Sequence, residues 1–308
     1  MATSKGNLFD PVLVTDLMTK VKGTSSLAKL ATQKPIPFNG MKEFIFSMDK
    51  EVDIVAENGA KSEGGITITP TRVIPIKFEY GARFSDEFLF ATEEEQLDIL
   101  KAFNDGFAKK VARGLDLAAF HGVNPRTGKA SSVVGTNNFD SLVTQTVDYT
   151  SATPDENIED AVALVHGSDG DVTGMAFATT FGAALAKVKA NGISQYPEFK
   201  FGANPGSLGG MSVDVNRTIS DASSKDRAIV GDFAAAFKWG YSKQIPLEII
   251  QYGDPDNSGK DLKGYNQVYL RAEVYLGWGI LAPEYFARVV EKDTTTNPTE
   301  EKENSNDV

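Results

Sequence analysis

The sequence contains no cysteine, and only two of its 308 residues are histidines. Without cysteine there are no disulfides, thiolate metal sites or cysteine nucleophiles. His121 and His166 each stand near the predicted end of a helix, where the helix dipole favours a cation. We therefore expect neither histidine to act as a catalyst or metal ligand, and we predict no metal and no cofactor.

An excess of positive charge and long apolar runs are also missing. The chain has 31 basic and 42 acidic residues, for a net charge of −11. This balance argues against a protein whose main task is to neutralise phosphates or to dock on an anionic bilayer. The segment MATSKGNLFDP lacks the apolar core of a signal peptide, and no run approaches the roughly 18 apolar residues of a membrane span. We expect folding in a cytoplasm and no membrane partner.

Catalytic signatures are absent as well. The sequence has no H-E-x-x-H, G-x-S-x-G or Walker pattern. The glycine-rich segment 202–210 precedes a strand instead of opening a helix, which disfavours phosphate binding. Segment 254–261 begins like a calcium loop, but Tyr265 stands where a bidentate glutamate belongs, so we predict a solvated turn. The protein is therefore predicted not to be an enzyme.

What the sequence does contain is one long amphipathic helix, over residues 92–121. Thr92 and Glu95 have capping-box spacing, and Gly122 stands where a helix stops. Apolar residues recur every three or four positions, at Leu97, Leu100, Phe103, Phe107, Val111, Leu115 and Ala118. A helix of this length, roughly 45 Å, indicates an extended building block.

A β-hairpin is predicted directly before this helix, with strands from Phe44 to Tyr80 around a polar, glycine-bearing tip. Pro70 and Pro75 would be awkward in a central strand, so part of this ribbon should be an edge. A two-stranded ribbon is marginal alone in water. We therefore expect its tip to rest on a neighbouring subunit.

The two ends of the chain differ in charge. Residues 1–40 carry five lysines against two aspartates and read as an arm that packs elsewhere; a frayed terminus with a short helix is the alternative. Residues 291–308 are acidic, lack aromatics and are predicted to be disordered. Between them, residues 155–290 alternate predicted elements: helices at 155–166 and 181–192, strands at 174–179, 211–219, 246–253 and 266–281, a strand followed by a helix within 228–240, and a closing segment 283–291.

In this order, the elements resemble the major capsid protein of tailed bacteriophages, which has the HK97-type fold. Four stretches carry the resemblance: VDIVAENGAKSEGGITIT (52–69), FAKKVARGLDLAAFHGVNPRTG (107–128), SLGGMSVDVNRTI with DRAIVGDFAAAFKWGYSKQIPLEIIQYGD (207–219 and 226–254), and RAEVYLGWGILAPEYFARVV (271–290). Together they cover about residues 40–290 in the family's order.

The resemblance implies an α+β, HK97-like capsid fold. Its parts would be an N-terminal arm (1–40), an extended β-hairpin loop (41–80), a peripheral domain (81–150 and 240–290) holding the spine helix 92–121, an axial α/β domain (151–239) and a disordered acidic tail (291–308). It further implies a self-assembling head protein that forms pentamers and hexamers of an icosahedral shell. Such a shell encloses double-stranded DNA without binding it specifically.

The resemblance also implies partners and a location. The family's prototype has a helical scaffolding segment ahead of its arm, and this sequence has no room for one, so a separate scaffolding protein and a portal are expected. The subunit would belong to the virion after assembly in the host cytoplasm. Two alternatives remain: an encapsulin-like nanocompartment shell, which the basic arm disfavours, and a soluble α/β hydrolase or binding domain.

Some relatives join their subunits by an isopeptide bond between a lysine of the extended loop and an asparagine of another subunit, helped by a glutamate. Matching stretches place Lys61 on the lysine, Asn266 on the asparagine and Glu273 on the glutamate. The reaction requires a neutral amine and a carboxylate that accepts a proton. The alternative is that Lys61 is solvated or ion-paired, Glu273 pairs with Arg271 or another cation, and Asn266 caps a strand.

Overall fold

The computed structural model describes residues 11–48, 50–221, 224–241 and 247–292. Six α-helices lie within these ranges: α1 Pro11–Thr24, α2 Ser26–Leu30, α3 Glu93–His121, α4 Phe139–Leu142, α5 Pro154–His166 and α6 Thr179–Leu185. In this part of the chain, no helix combines the length and apolar character that crossing a bilayer requires.

Fourteen β-strands lie within the same ranges. They are β1 Met41–Met48, β2 Ile66–Val73, β3 Ile76–Ser85, β4 Thr146–Asp148, β5 Gly174–Ala178, β6 Lys189–Ala190, β7 Ile193–Ser194, β8 Ser207–Leu208, β9 Met211–Asn216, β10 Asp226–Gly231, β11 Phe237–Tyr241, β12 Leu247–Ile250, β13 Gln267–Ile280 and β14 Phe286–Val290. They form two large sheets and two small hairpins.

Helix α3 is the long helix that the sequence predicts. Its capping box is present: the Thr92 hydroxyl accepts from the Glu95 N–H (3.3 Å), and the Glu95 carboxylate accepts from the Thr92 N–H (3.4 Å). Gly122 ends the helix in the left-handed region at φ 66°, where a Cβ would meet the Asn138 side chain at 2.5 Å. The structure therefore confirms the predicted bounds of the helix. They could be predicted because both end signals lie next to the helix in the sequence.

The predicted apolar stripe of α3 faces the core at all but one of its positions. Phe103 packs against the core, and five residues are buried: Leu100, Phe107, Val111, Leu115 and Ala118. Leu97 is the exception, with 45% of its surface exposed. The first turns of the helix therefore contribute less to the core than the remainder.

The predicted hairpin is present but shorter than expected. Strands β1 and β2 pair antiparallel over eight residues each, with Pro70 opposite Phe44 in this two-stranded ribbon. The ribbon ends before Pro75, and β3 pairs instead with β13. Residues 76–80 thus belong to the larger sheet and not to the hairpin, because a proline at the junction cannot donate to a continuous ladder.

Strand β13 is the centre of a four-stranded sheet. It pairs antiparallel with β3 along one edge and with β12 and then β11 along the other. Its alternate residues from Val268 to Ile280 are buried, including Trp278, which lies opposite Trp239 of β11. This alternation explains why the sequence predicts a long strand here.

The second sheet has six strands, in the order β4-β14-β10-β5-β9-β8. All five residues of β5 are buried, as a strand covered on both faces should be. Helices α5 and α6 pack against this sheet. Strand β14 pairs with β10 and β4, so residues 286–290 lie in this sheet although the sequence-based division groups them with 240–290.

Two predicted helices differ from the structure. The helix expected after β10 is wrong: Asp232 accepts from the N–H groups of Ala234 and Ala235 in a turn that leads directly into β11. Phe233 is buried at this turn, so tertiary packing overrides the helix propensity of the alanines. The helix expected at 181–192 ends early, at Leu185, and the two-residue strands β6 and β7 follow.

Candidate functional site

The tip of the hairpin is a candidate contact surface. Residues 50–65 are exposed throughout, and no strand is formed between Glu51 and Gly65. Val52 and Ile54 expose 92% and 97% of their surface. Covering a β-branched side chain is worth roughly 1.5–3 kcal/mol, so the tip is chemically suited to binding another surface.

The N-terminal segment packs on its own subunit. Leu17, Val21 and Leu27 are fully buried, and α1 lies along α3. The backbone of Lys34 donates to the Trp239 carbonyl at 2.9 Å and extends the contact to β11. The expectation that residues 1–40 find all their partners elsewhere is therefore wrong for this part, because its apolar residues complete the core. Residues 1–10 lie outside the described ranges.

Two buried carboxylates hold the short helix α2 in place. Asp116 of α3 accepts from the Ser25 hydroxyl (2.5 Å), the Ser26 N–H (3.0 Å) and the Thr218 hydroxyl (2.9 Å). Burial raises the pKa of Asp116 to about 6, against the lowering effect of these hydrogen bonds. No local pattern indicates this network, because its members are about 90 or more positions apart in the sequence.

Asp214 of β9 is the second of these carboxylates. It accepts from the Ser26 hydroxyl (2.6 Å) and forms an ion pair with Lys29 (2.5 Å). The Asn204 side chain also donates to Asp214, at 2.8 Å. Helix α2 is therefore attached to the spine helix through one carboxylate and to the six-stranded sheet through the other.

His121 ends α3, as predicted, but it is buried in an ionic cluster. Its Nε2 donates to the Thr218 carbonyl (2.8 Å), and its Nδ1 faces the Asp140 carboxylate (3.0 Å). Burial lowers the pKa of His121, but the hydrogen bond and charge of Asp140 outweigh it and raise the pKa overall. The other histidine, His166, ends α5 and is exposed, as its helix-end position suggested.

The same cluster contains Asp226 and Arg288. Arg288 donates through Nη2 to Asp226 and to Asp140, both at 2.8 Å. Burial raises the pKa of Asp226, and the Asp140 charge adds to this rise while Arg288 opposes it. Burial would raise the pKa of Asp140 too, but His121 and Arg288 hold it below its ordinary value.

His121, Asp140 and Asp226 bring ligand-type atoms within 4.8 Å of one another. The guanidinium of Arg288 already supplies the positive charge that these two carboxylates require. The cluster ties the end of α3 to α4, β10 and β14, and so joins the spine helix to the six-stranded sheet. Its chemistry fits a structural junction.

The three cross-link residues are not brought together within one subunit. Lys61 lies in the exposed tip. Asn266 has a left-handed backbone (φ 52°) just before β13, while Glu273 is seven residues along that strand, about 23 Å away. Glu273 is ion-paired with Lys77 at 2.5 Å and lies 3.8 Å from Arg271.

An arginine side chain binds the carboxylates of segment 254–261, the segment that begins like a calcium-binding loop. The guanidinium of Arg83 donates to Asp254 (2.7 Å), to Asp256 (2.9 Å) and to the Lys260 carbonyl (2.9 Å). The Arg83 hydrogen bond holds the pKa of Asp256 far below its ordinary value. The arginine thus supplies the cation for these carboxylates, which agrees with a turn and not with a calcium site.

The comparisons with known proteins agree with this architecture. The model of the phage capsid family matches residues 5–290. A solved structure from Mycobacterium phage Ogopogo is 33% identical, with a TM-score of 0.73 over 87% of this chain and 92% of its own. One from Gordonia phage Cozz is 24% identical, with a TM-score of 0.71 over 87% of each chain. No curated protein matches.

The fold is also shared with more distant shells. A structure described as the capsid of an empty GTA particle is 16% identical, with a TM-score of 0.63 over 94% of this chain and 93% of its own. The family is structural and not enzymatic, which sets the hydrolase alternative aside. With the spine helix, hairpin and two sheets in place, this chain belongs to the phage capsid family and is a major capsid protein of the HK97-type fold.

Proposed function

We propose that this subunit assembles as pentamers and hexamers into an icosahedral shell around double-stranded DNA. The observation that carries the proposal is the hairpin tip, whose β-branched residues Val52 and Ile54 are almost fully exposed at the end of a ribbon marginal by itself. A shell supplies the neighbouring copies that would cover them. The negative net charge fits a wall that encloses DNA without specific contacts.

The division into domains is part of this proposal. The four-stranded sheet with α3 supports a peripheral domain, and the six-stranded sheet with α5 and α6 supports an axial domain. We assign 1–40 to an arm and 41–80 to the extended loop, with β3 forming the passage from loop to sheet. Residues 286–290 go with the axial sheet.

A separate scaffolding protein and a portal belong to the same proposal. The N-terminal segment described above is used inside its own subunit, where α1 and α2 complete the core. It is therefore engaged in packing and is not free to guide assembly as a scaffold would. Co-expression with a scaffolding protein should raise the yield of closed particles above that of the subunit alone.

An encapsulin-like compartment is the second candidate, because it shares the fold. The match to the phage capsid family over residues 5–290 favours the phage assignment. Particle contents separate the two: heads matured in infected cells should contain double-stranded DNA, while a nanocompartment should contain a cargo enzyme. Particles that enclose only protein in infected cells would overturn the DNA part of the proposal.

We propose that the shell forms without an isopeptide cross-link between Lys61 and Asn266. Glu273 is engaged by Lys77, which removes its freedom to accept a proton from Lys61. Mature particles boiled in detergent should give one band near 33 kDa, unchanged by Lys61→Arg. A ladder of higher bands that Lys61→Arg abolishes would instead establish the cross-link.

A further inference from the structure

Three asparagines of this chain are followed directly by glycine: Asn39, Asn58 and Asn191. In such a pair the backbone nitrogen of the glycine can attack the side-chain amide carbon of the asparagine, because glycine has no Cβ to hinder the approach. The C–N bond of the side-chain amide breaks, ammonia leaves with the proton of the glycine N–H, and a cyclic imide forms. Water then opens the ring at either carbonyl, which leaves aspartate or isoaspartate.

The three pairs differ in the hydrogen bond of the attacking nitrogen. The Gly40 N–H donates to the Pro37 carbonyl at 2.8 Å, and the Gly59 N–H donates to the Ala56 carbonyl at the same distance. The Gly192 N–H has no acceptor among the residues that the structure describes. An N–H that is bonded to an acceptor must give up that bond before its nitrogen reacts. The nitrogen of Gly192 is therefore the most available of the three.

The surroundings of the three glycines differ in the same way. A Cβ at Gly40 would lie 2.7 Å from the Val73 carbonyl oxygen, and one at Gly59 would lie 2.9 Å from the Val55 side chain. At Gly192 the same position is open, with no heavy atom of the described part of the chain within 4 Å beyond the adjacent residues. The backbone at Gly192 is therefore the least confined.

Asn191 and Gly192 form the turn between the short strands β6 and β7. Both have a left-handed backbone, with φ of 52° and 82°, as a two-residue hairpin turn requires. The hairpin is a separate two-stranded sheet with two residues in each strand, and both turn residues are exposed. A ladder this short is marginal in water, so the turn opens at little cost into the conformations that ring closure requires.

We propose that Asn191 is a site of spontaneous deamidation, and that it reacts before Asn39 and Asn58 in the folded protein. Water is the only other reactant. The reaction replaces a neutral amide by a carboxylate, and the isoaspartate product also adds one carbon atom to the backbone. A two-residue turn cannot take up that atom and keep Ala190 paired with Ile193, so the hairpin opens in the isoaspartate form.

The core of the subunit does not depend on this hairpin, because Lys189, Ala190 and Ile193 are all exposed. The modification therefore accumulates in a subunit that stays folded. Aged protein should show a growing acidic species on ion exchange, while its denaturation midpoint stays that of fresh protein. A midpoint that falls in step with the acidic species would contradict the peripheral position of the hairpin.

Peptide mass spectrometry of full-chain subunits kept in mildly alkaline buffer tests the order of reaction. It follows all three asparagines in one sample, because each deamidation exchanges an amide for a carboxyl. We expect Asn191 to react about fivefold faster than Asn39 and Asn58, which is the effect of one hydrogen bond on the attacking nitrogen. The same protein unfolded in urea is the matched control, and there the three sites should react at similar rates.

Methylation of the aged protein by an isoaspartyl methyltransferase tests the cyclic intermediate. Opening of the ring gives isoaspartate, which accepts the methyl group, whereas direct hydrolysis of the amide gives aspartate alone. Asn191→Gln should remove most of this methylation, because the longer side chain closes a less favourable ring. Equal native rates at the three sites, a preference for Asn191 that persists in urea, or aspartate without isoaspartate would each overturn the proposal. None of these outcomes involves assembly, so the proposed shell function is tested separately.

Discussion

Burial at individual residues decides which positions of α3 matter for stability. Phe107 exposes 2% of its surface and stacks on Phe103, with ring centroids 6.4 Å apart. Phe107→Ala should lower the free energy of unfolding by roughly 3–5 kcal/mol, because it leaves a cavity under the helix. Leu97→Ala on the exposed part of the same helix should cost less than about 1 kcal/mol. Chemical denaturation of unassembled subunits measures both; similar losses would contradict the packing of α3.

Buried titratable residues predict how stability depends on pH. The folded pKa of Asp116 is about 6 against an ordinary 3.8, so the folded state binds this proton first as pH falls. The raised pKa values of Asp226 and His121 act in the same direction. Each contribution is complete below the unfolded pKa and is lost as pH rises through the folded pKa. The subunit should therefore be more stable near pH 5.5 than near pH 7.5, with Asp116 contributing roughly 1 kcal/mol of that difference.

Denaturation midpoints at the two pH values test this dependence, and Asp116→Asn should reduce the difference because its amide does not titrate. Asp140 and Asp256 have lowered pKa values, so their contributions are lost only at lower pH. Stability that is flat or that falls on mild acidification would contradict the burial of Asp116 or show that its hydrogen bonds outweigh that burial.

Among the elements, α2 depends on its N-cap. The Ser25 hydroxyl accepts from the Ala28 N–H (3.1 Å) and donates to Asp116 (2.5 Å). Ser25→Ala should cost about 1–2 kcal/mol, since it removes the cap and one donor to a buried carboxylate. Thr24→Ala is the matched control, because the Thr24 hydroxyl only donates to the Lys20 carbonyl on the surface. Hydrogen exchange over residues 17–31 should increase in the first variant alone.

Changes in the hairpin tip should impair assembly of the shell without impairing folding of the subunit. Deleting Asn58 to Gly65 should leave a folded subunit, because the tip adds little to its own core, yet it should reduce shell formation. A glycine-serine segment of equal length in the same place keeps the spacing and removes the chemistry. If the deletion unfolds the subunit, as judged by circular dichroism, the tip is a folding element and its role between subunits is contradicted.

Elements with local signals could be predicted from the sequence, while those set by distant contacts could not. Helix α3 has its capping box and its 3.6-residue period within its own residues, and β13 has its alternation. The alanine-rich turn after β10 has helix propensity, but the Asp232 hydrogen bonds and the buried Phe233 decide otherwise. The networks of Asp116 and His121 join distant segments, so no local pattern revealed them.

In the whole molecule, some elements build the core of the subunit and others are available for contacts between subunits. The spine helix, the two sheets and helices α1 and α2 close the core of the subunit. The hairpin tip stays outside that core, with Val52 and Ile54 almost fully exposed. We expect a subunit built this way to fold alone and to assemble through its hairpin tip.

The measurement that tests this account most directly is electron cryo-microscopy of particles purified after co-expression with a scaffolding protein. We expect closed icosahedral shells of pentamers and hexamers, with residues 50–65 of each subunit covered by a neighbouring copy. A protein that stays monomeric under these conditions would contradict the assembly, and closed shells in which the hairpin tip stays bare would contradict its role between subunits.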